Sequence, residues 1–401
     1  MKRAILICLC LIASLLWAGN SIFSYDGFPI QYYGLDVYSM GMGDTGSSDI
    51  FRFNSGYGNP AQFNRSNKTL FGTGIILGYT GYKSEYQDQE RSFRDNSLDF
   101  PYFSVSVPVK GHRFGFQFNS YATGLVENQI ILADSTLERQ STDKYIYRAD
   151  LIYSYNYRDL SLGVSGNYFF GHDKRSFEQF APNATVPTTE SVHRDFKNPT
   201  ITMGAIQSYG DHALGLHATL PVTLEGESRR RSFHTSEDPQ DYEYELPMMM
   251  TMSYTGHVNE QIKVTSDISV QRYSDVSDDL QDSWKAGIGM AYEPKEGRQK
   301  HWWAKIPLRA GYSFRNLPFK TGGDFIEENT FTAGLSLPLK NEINRLDLAF
   351  QYQTRGSLDN NGQSENAYMM MIGFTGFDII SRAIDRTAPR DIPKAEELRQ
   401  W

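Results

Sequence analysis

Gly41-Met42-Gly43-Asp44-Thr45-Gly46 is the first stretch whose residue types and spacing carry a chemical signal. It holds a G-x-G, the opening of a phosphate-cradling loop. No strand precedes it, no helix follows it and no Lys stands where such a loop needs one, which argues against nucleotide binding. The eight His are scattered without ligand spacing, and Leu358 to Gly362 (LDNNG) reads as a hairpin turn before a calcium site, so no metal centre is expected. A hydrolase would need Ser, His and a carboxylate converging on one face; His217 falls on an inward strand face in the pattern below, yet spacing assigns it no partner. No catalytic residue and no cofactor is expected, and the chain reads as a non-enzyme.

The elements that surround this stretch are strands. Apolar residues recur with period two, as in Phe103, Val105, Val107, Val109; in Phe114, Phe116, Phe118; and in Tyr147, Ala149, Leu151, Tyr153, Tyr155 against Arg148, Asp150, Ser154. A long row, Leu214, Leu216, Ala218, Leu220, Val222, Leu224, reads as one apolar face, and Leu346, Leu348, Phe350, Tyr352 repeat the rhythm near the end. Fourteen such segments lie between residues 69 and 377, most near the roughly 9–11 residues of a tilted membrane strand. Their connections alternate between long polar ones (81–99, 122–144, 171–198, 225–245, 274–283, 315–328, 356–365) and short ones, with one long exception from Glu293 to Trp303. This predicts an all-β, 14-stranded antiparallel transmembrane barrel whose first strand runs outward. A propeller would show repeats of about 40 residues, and none recurs. A two-domain sandwich would need a linker, and no Pro- or Ser-rich one is present.

The ends and the composition agree. Lys2 and Arg3, an apolar run from Ala4 to Trp17 and small residues at Ala18-Gly19 read as a signal peptide over 1–18. Both cysteines, Cys8 and Cys10, leave with it, so either a large core or a closed hydrogen-bonded sheet must do what disulfides do in other exported chains. Without Lys2 and Arg3, the 39 basic residues become 37 against 47 acidic ones, so nucleic acid is not expected as a partner. Aromatics make up 14% while mean hydropathy is −0.48, which suits strands alternating between lipid and a polar interior.

The inward faces define the expected lumen. Gly72, Gly74, Gly78, Gly115, Gly163, Gly215, Gly287, Gly289 and Gly311 leave room, and Arg148, Asp150, Lys263, Asp267, Arg309, Asp347 and Arg355 add both charges; such residues line water or brace an internal plug. Met249, Met369 and Met371 fall on the inward face as soft apolar contacts for a hydrocarbon, or as fillers against that plug. Ile130, Ile131, Leu132, Phe177 and Phe180, on the long loops, are the expected first contacts for such a ligand.

"SMGMGDTG" (Ser39 to Gly46), a polar run and "NPAQF" (Asn59 to Phe63) directly before the first strand resemble the N-terminal hatch of the FadL-type fatty-acid transporters, the OMPP1/FadL/TodX group, with their relatives among type IX secretion barrels. The resemblance implies a plug over 19–68, with Gly41, Gly43, Gly46, Asn59, Pro60 and Ala61 as its signature, inside a barrel over 69–378. It implies passive uptake of a hydrophobic small molecule across the outer membrane of a Gram-negative-type bacterium, with outer-membrane lipid around the barrel. Phe51 and Phe53 depart from the family's pattern, as does a charged tail over 379–401. That tail, expected in the periplasm, supports the alternative: a non-transporting barrel that docks cargo or a secretion-machinery protein.

Overall fold

The computed structural model describes residues 21–24, 30–31, 36–52, 58–62, 68–86, 89–132, 134–182, 184–294, 301–339 and 344–376. The expected signal peptide (1–18) and tail (379–401) lie outside them.

Alternation builds a closed antiparallel barrel of fourteen strands. They are β1 (Leu70–Tyr86), β2 (Gln89–Asp99 and Tyr102–Val109), β3 (His112–Ile131), β4 (Leu137–Tyr157), β5 (Leu160–Phe180), β6 (Thr188–Tyr209), β7 (His212–Thr219 and Val222–Ser232) and β8 (Gln240–Leu246 and Met249–Asn259). Then follow β9 (Ile262–Gln271), β10 (Ser283–Tyr292), β11 (Leu308–Thr321), β12 (Asp324–Pro338), β13 (Arg345–Arg355) and β14 (Gln363–Gly376). The ring closes where β14 pairs with β1, from Gln363↔Ser84 to Gly376↔Phe71. Leu151, Leu216, Met252, Ile288 and Phe331 are exposed on the outside, while Asp150, His217, Ser253 and Thr332 are buried within. Such a closed ladder leaves no strand edge to satisfy in hydrocarbon.

At the lower end, where the first strand begins and the last one ends, two-residue turns join strands at Lys110-Gly111 and Arg158-Asp159, with positive φ at Lys110, Gly111 and Arg158 as tight hairpins require.

The upper end departs from expectation. Most of the residues read as long loops are strand, because the ladder continues where the outward face turns polar and apolar alternation stops. β3 to β6 run 20 to 22 residues, against 10 in β9 and in β10. Three strands break at proline-containing steps, Phe100-Pro101, Leu220-Pro221 and Pro247-Met248, since Pro cannot donate to the ladder. Each two-residue gap reverses which parity faces inward. Val222 and Leu224 therefore do not continue the outward row begun at Leu214; they point inside, with Leu224 fully buried.

Above these breaks the ring divides. The upper part of β2 pairs with β1, from Ile76↔Asp99, whereas β2 meets β3 only below Tyr102↔Asn119. The two-residue strand Ile30–Gln31 lies on the exposed flank of β3 at Thr123 and Ala122. Across the barrel, β9 ends opposite Met249, and the upper part of β8 pairs only with β7 among the described strands. The upper halves of β3 to β8 thus form a wing with its own core of Tyr121, Ile146, Phe169, Phe196, Val222, Leu224 and Leu246, flanked by Tyr242 and Tyr244.

Candidate functional site: the occupied lumen

The described N-terminal residues pack on the inward faces of the strands. Asp36 caps the single-turn helix α1 (Val37–Met40), accepting from the Ser39 amide at 2.8 Å. The chain then crosses a floor without side chains. Gly43 sits at φ +69, and a Cβ there would come within 2.9 Å of the Tyr312 and Ile288 backbones. Facing it, Cβ atoms on Gly289 or Gly311 would meet the Met42 or Gly43 main chain at 2.3 Å or less. Gly289 and Gly311 are cross-strand neighbours, so the inward glycines of β10 and β11 form one seat for residues 42–43. The Gly43 amide donates to Thr332 Oγ1 at 2.7 Å, and Asp267 accepts from the Gly46 amide, the Ser47 amide and the Ser47 hydroxyl at 3.2, 3.0 and 2.6 Å. Lys285 pairs with Asp44 beside them.

Asn59-Pro60-Ala61 makes the opposite contact. The Asn59 carboxamide oxygen accepts from the Ala61 amide at 2.9 Å, closing an Asx turn, and its nitrogen donates to the Leu216 carbonyl at 3.4 Å. Gly163 and Gly204 leave the space that Pro60 and Asn59 occupy. Gln62 donates to the Gly46 carbonyl, joining the two halves, so Gly41, Gly43 and Gly46 meet one wall, Asn59, Pro60 and Ala61 the other, and the segment crosses the interior.

Below this lies an ionic lock around Tyr38. Arg52 donates to both oxygens of Asp36 at 2.6 and 3.1 Å and to Asp49 at 3.1 Å. Lys263 bridges Asp49 at 2.9 Å and Glu293 at 3.0 Å, and Glu293 also accepts from the Tyr38 hydroxyl at 3.0 Å. Arg309 and Arg345 share Asp347 at 3.3 and 2.7 Å. The guanidinium carbons of Arg309, Arg52 and Arg345 stand 4.1, 4.3 and 4.8 Å from the Tyr38 ring centre, with the Lys263 nitrogen at 5.1 Å. Asp36, Asp49, Glu293 and Asp347 thus face Arg52, Lys263, Arg309 and Arg345, four charges against four. Burial pushes the Asp36 and Asp49 carboxyls up, but Arg52 beside the first and Lys263 beside the second outweigh it and hold both below the usual carboxylate range.

The expected ligand residues separate into three places. Met371, 1% exposed, packs with Val37, Met40, Ile76, Tyr102 and Ala349, with Met369 against the same cluster. Met249 is across the barrel, half-buried between Thr219 and Gln271. Ile131 and Phe180 reach the wing's tip, where both pair with Leu137, and Phe177 lies lower on β5. They are strand residues, as the ladder continues through the expected loops. None of the six lines the chamber of about 920 Å³ at the upper end. Its apolar lining comes from Ile22, Phe23, Phe93, Val126, Leu280 and Phe319, with Tyr82. These come from the N-terminal segment, four strands and a connection, and share no periodic signal; only the buried Leu317-Pro318-Phe319 hints at them.

The architecture is that of several solved barrels. The chain is similar to a FadL homologue of Pseudomonas aeruginosa (TM-score 0.63, 11% identity, 87% of this chain and 99% of that one). It is similar to the toluene transporter TodX of P. putida (0.61, 16%, 86% and 99%) and to the toluene transporter TbuX of Ralstonia pickettii (0.56, 12%, 86% and 99%). No curated protein matches by sequence. At these identities the likeness to FadL and TodX is one of fold. The family model that fits the sequence itself runs from residue 1 to residue 378 and is BamG, so the chain belongs to the BamG family.

Proposed function

We propose that this protein is an outer-membrane barrel of a Gram-negative-type bacterium that takes up hydrophobic small molecules passively. The upper chamber carries the reading: about 920 Å³ lies within the range of roughly 300–1,000 Å³ typical of ligand pockets, and an aromatic and aliphatic patch of Ile22, Phe23, Phe93, Val126, Leu280 and Phe319 lies in it among polar and charged side chains such as Arg94, Glu127 and Lys320. In this reading the upper end is extracellular, outer-membrane lipid surrounds the apolar band, and residues 36–52 and 58–62 form the inner plug. Similar barrels described as toluene transporters support it at the level of fold. Long-chain fatty acids and hydrocarbons are the cargo class; no step calls for catalysis or a cofactor. Cargo would reach the Met369–Met371 cluster only after α1 shifts, because Val37 and Met40 now occupy it. Mass spectrometry of lipid extracted from the purified protein tests this. A hydrocarbon or fatty acid lost in Phe23→Asp with Phe319→Asp is expected; its absence from the native protein overturns the reading.

The ionic lock favours a second reading, a barrel that stays shut and docks a protein, with the tail over 379–401 as a periplasmic contact. A stoichiometric protein partner lost on truncation after Asp378 is its expected outcome. Co-purified hydrocarbon with no protein partner decides for uptake.

A further inference from the structure

The upper part of β8, Gln240–Leu246, pairs on one side with Val222–Ser228 of β7 and with no described strand on the other. Its inward residues Tyr242, Tyr244 and Leu246 join the wing core. Its outward residues Asp241, Glu243 and Glu245 are all exposed. Glu243 stands directly opposite Glu225, and Asp241 directly opposite Glu227, while Asp195 lies opposite Glu227 from the other side. Local cations are few. Lys197 is opposite Glu225, Arg229 donates to Glu227 at 2.8 Å with Arg231 exposed two residues further along the same face, and His193 reaches Asp195 at 3.0 Å; on the inner face the Arg194 guanidinium stands 4.7 Å from the Tyr242 ring centre.

Like charges placed directly across a ladder cost stability. A lone charge suffices to guard an exposed edge against aggregation, so guarding does not account for carboxylates in facing pairs. Six carboxylates against Lys197, Arg229 and Arg231 make a surface that cationic side chains laid alongside it would relieve. An edge with a polar acidic face and an apolar opposite face also sets the pattern of what fits: a strand with basic residues outward and apolar residues inward, beside Tyr242 and Tyr244.

We propose that the Gln240–Leu246 edge of the wing is a docking site for a basic, extended segment of a second protein, which adds to the sheet as the next strand. The site gives the docking reading above its surface and its partner's chemistry, and it is independent of whether cargo crosses the barrel.

The test uses the full-length protein in nanodiscs and a synthetic ten-residue peptide alternating Lys and Val as probe, with a Glu/Val peptide as control. Binding of the Lys/Val peptide alone is expected, with slowed amide exchange across 240–246 and weaker binding as salt rises. Asp241→Lys with Glu243→Lys is expected to weaken it more than about tenfold, roughly 1.4 kcal/mol, with thermal unfolding at or above that of the wild type, since both like-charge pairs become opposite-charge pairs. Glu243→Gln should give a smaller loss. No binding, binding indifferent to the charge reversal, or binding without protection of 240–246 overturns the proposal. In the native host, a photo-crosslinker at position 243 should capture a basic extended segment of one protein. An adduct with lipopolysaccharide, with an acidic segment, or none at all overturns it too.

Discussion

The lower ring and the upper wing solve the same problem by opposite means. In the ring every strand has two neighbours, the outside is apolar, and the inside is filled mainly by polar residues, glycine seats and a balanced set of ions, with a small apolar cluster where Val37 and Met40 meet Ile76, Tyr102 and Met371. In the wing two flanks leave the ring's ladder, the outside carries charge, and the inside is a cluster of Tyr121, Phe169, Phe196, Leu224 and Leu246. A closed hydrogen-bonded ladder needs no apolar interior; when the ladder opens into water, burial of apolar area must return to hold the strands together. The ring is therefore held by geometry and charge, and the wing by packing.

Perturbing the ring's contents should have the largest effects. Gly43→Val adds a Cβ against two backbones at a φ that disfavours L side chains, so residues 36–52 should leave their seat; protease cleavage within them and solute leakage into liposomes would show it. Cleavage matching wild type would break the account of the glycine floor. Arg52→Ala takes the ion-pair partner from the buried Asp36 and leaves Asp49 with Lys263 alone, a loss of about 3–5 kcal/mol in docking of the segment, measurable by amide exchange. Uniform loosening of the whole barrel would contradict a local lock.

Phe196→Ala should cost about 3 kcal/mol, confined to the wing. Exchange should rise across β5 to β8 above the prolines while the lower ring keeps its protection, and equal loosening in both would dissolve the distinction between them. Asn59→Ala removes the Asx bond and should cost about 1 kcal/mol, seen as faster exchange at Ala61. The smallest effect is that of pH. The Asp36 and Asp49 carboxyls are held below their unfolded values, so their contribution is complete above the ordinary carboxylate range near 4 and is lost as pH falls through the depressed values. Between pH 8 and pH 5 the segment should resist protease equally, and release only in strong acid; release near pH 6 would place control elsewhere.

Alternation along the chain is a local property, so the number of strands, their order and the inward placement of Lys263, Asp267, Arg309 and Asp347 are legible from residues a few positions apart. The glycine-rich stretch and the Asn-Pro-Ala turn are legible by type. What pairs with what is not: Lys263 meets Asp49, Asp267 meets Ser47, and Met371 meets Val37 across more than 200 residues, and no periodicity encodes such contacts. The breaks at Pro101, Pro221 and Pro247 were visible as residues, but their consequence, reversal of the inward parity above them, depends on how each neighbouring strand absorbs the gap. Sequence by itself determined a fourteen-stranded ladder and a segment unlike it; only the closed tertiary structure decided that the segment lies within the ladder and that six strands rise beyond it around a core of their own, because both depend on contacts that exist only once the ring has closed.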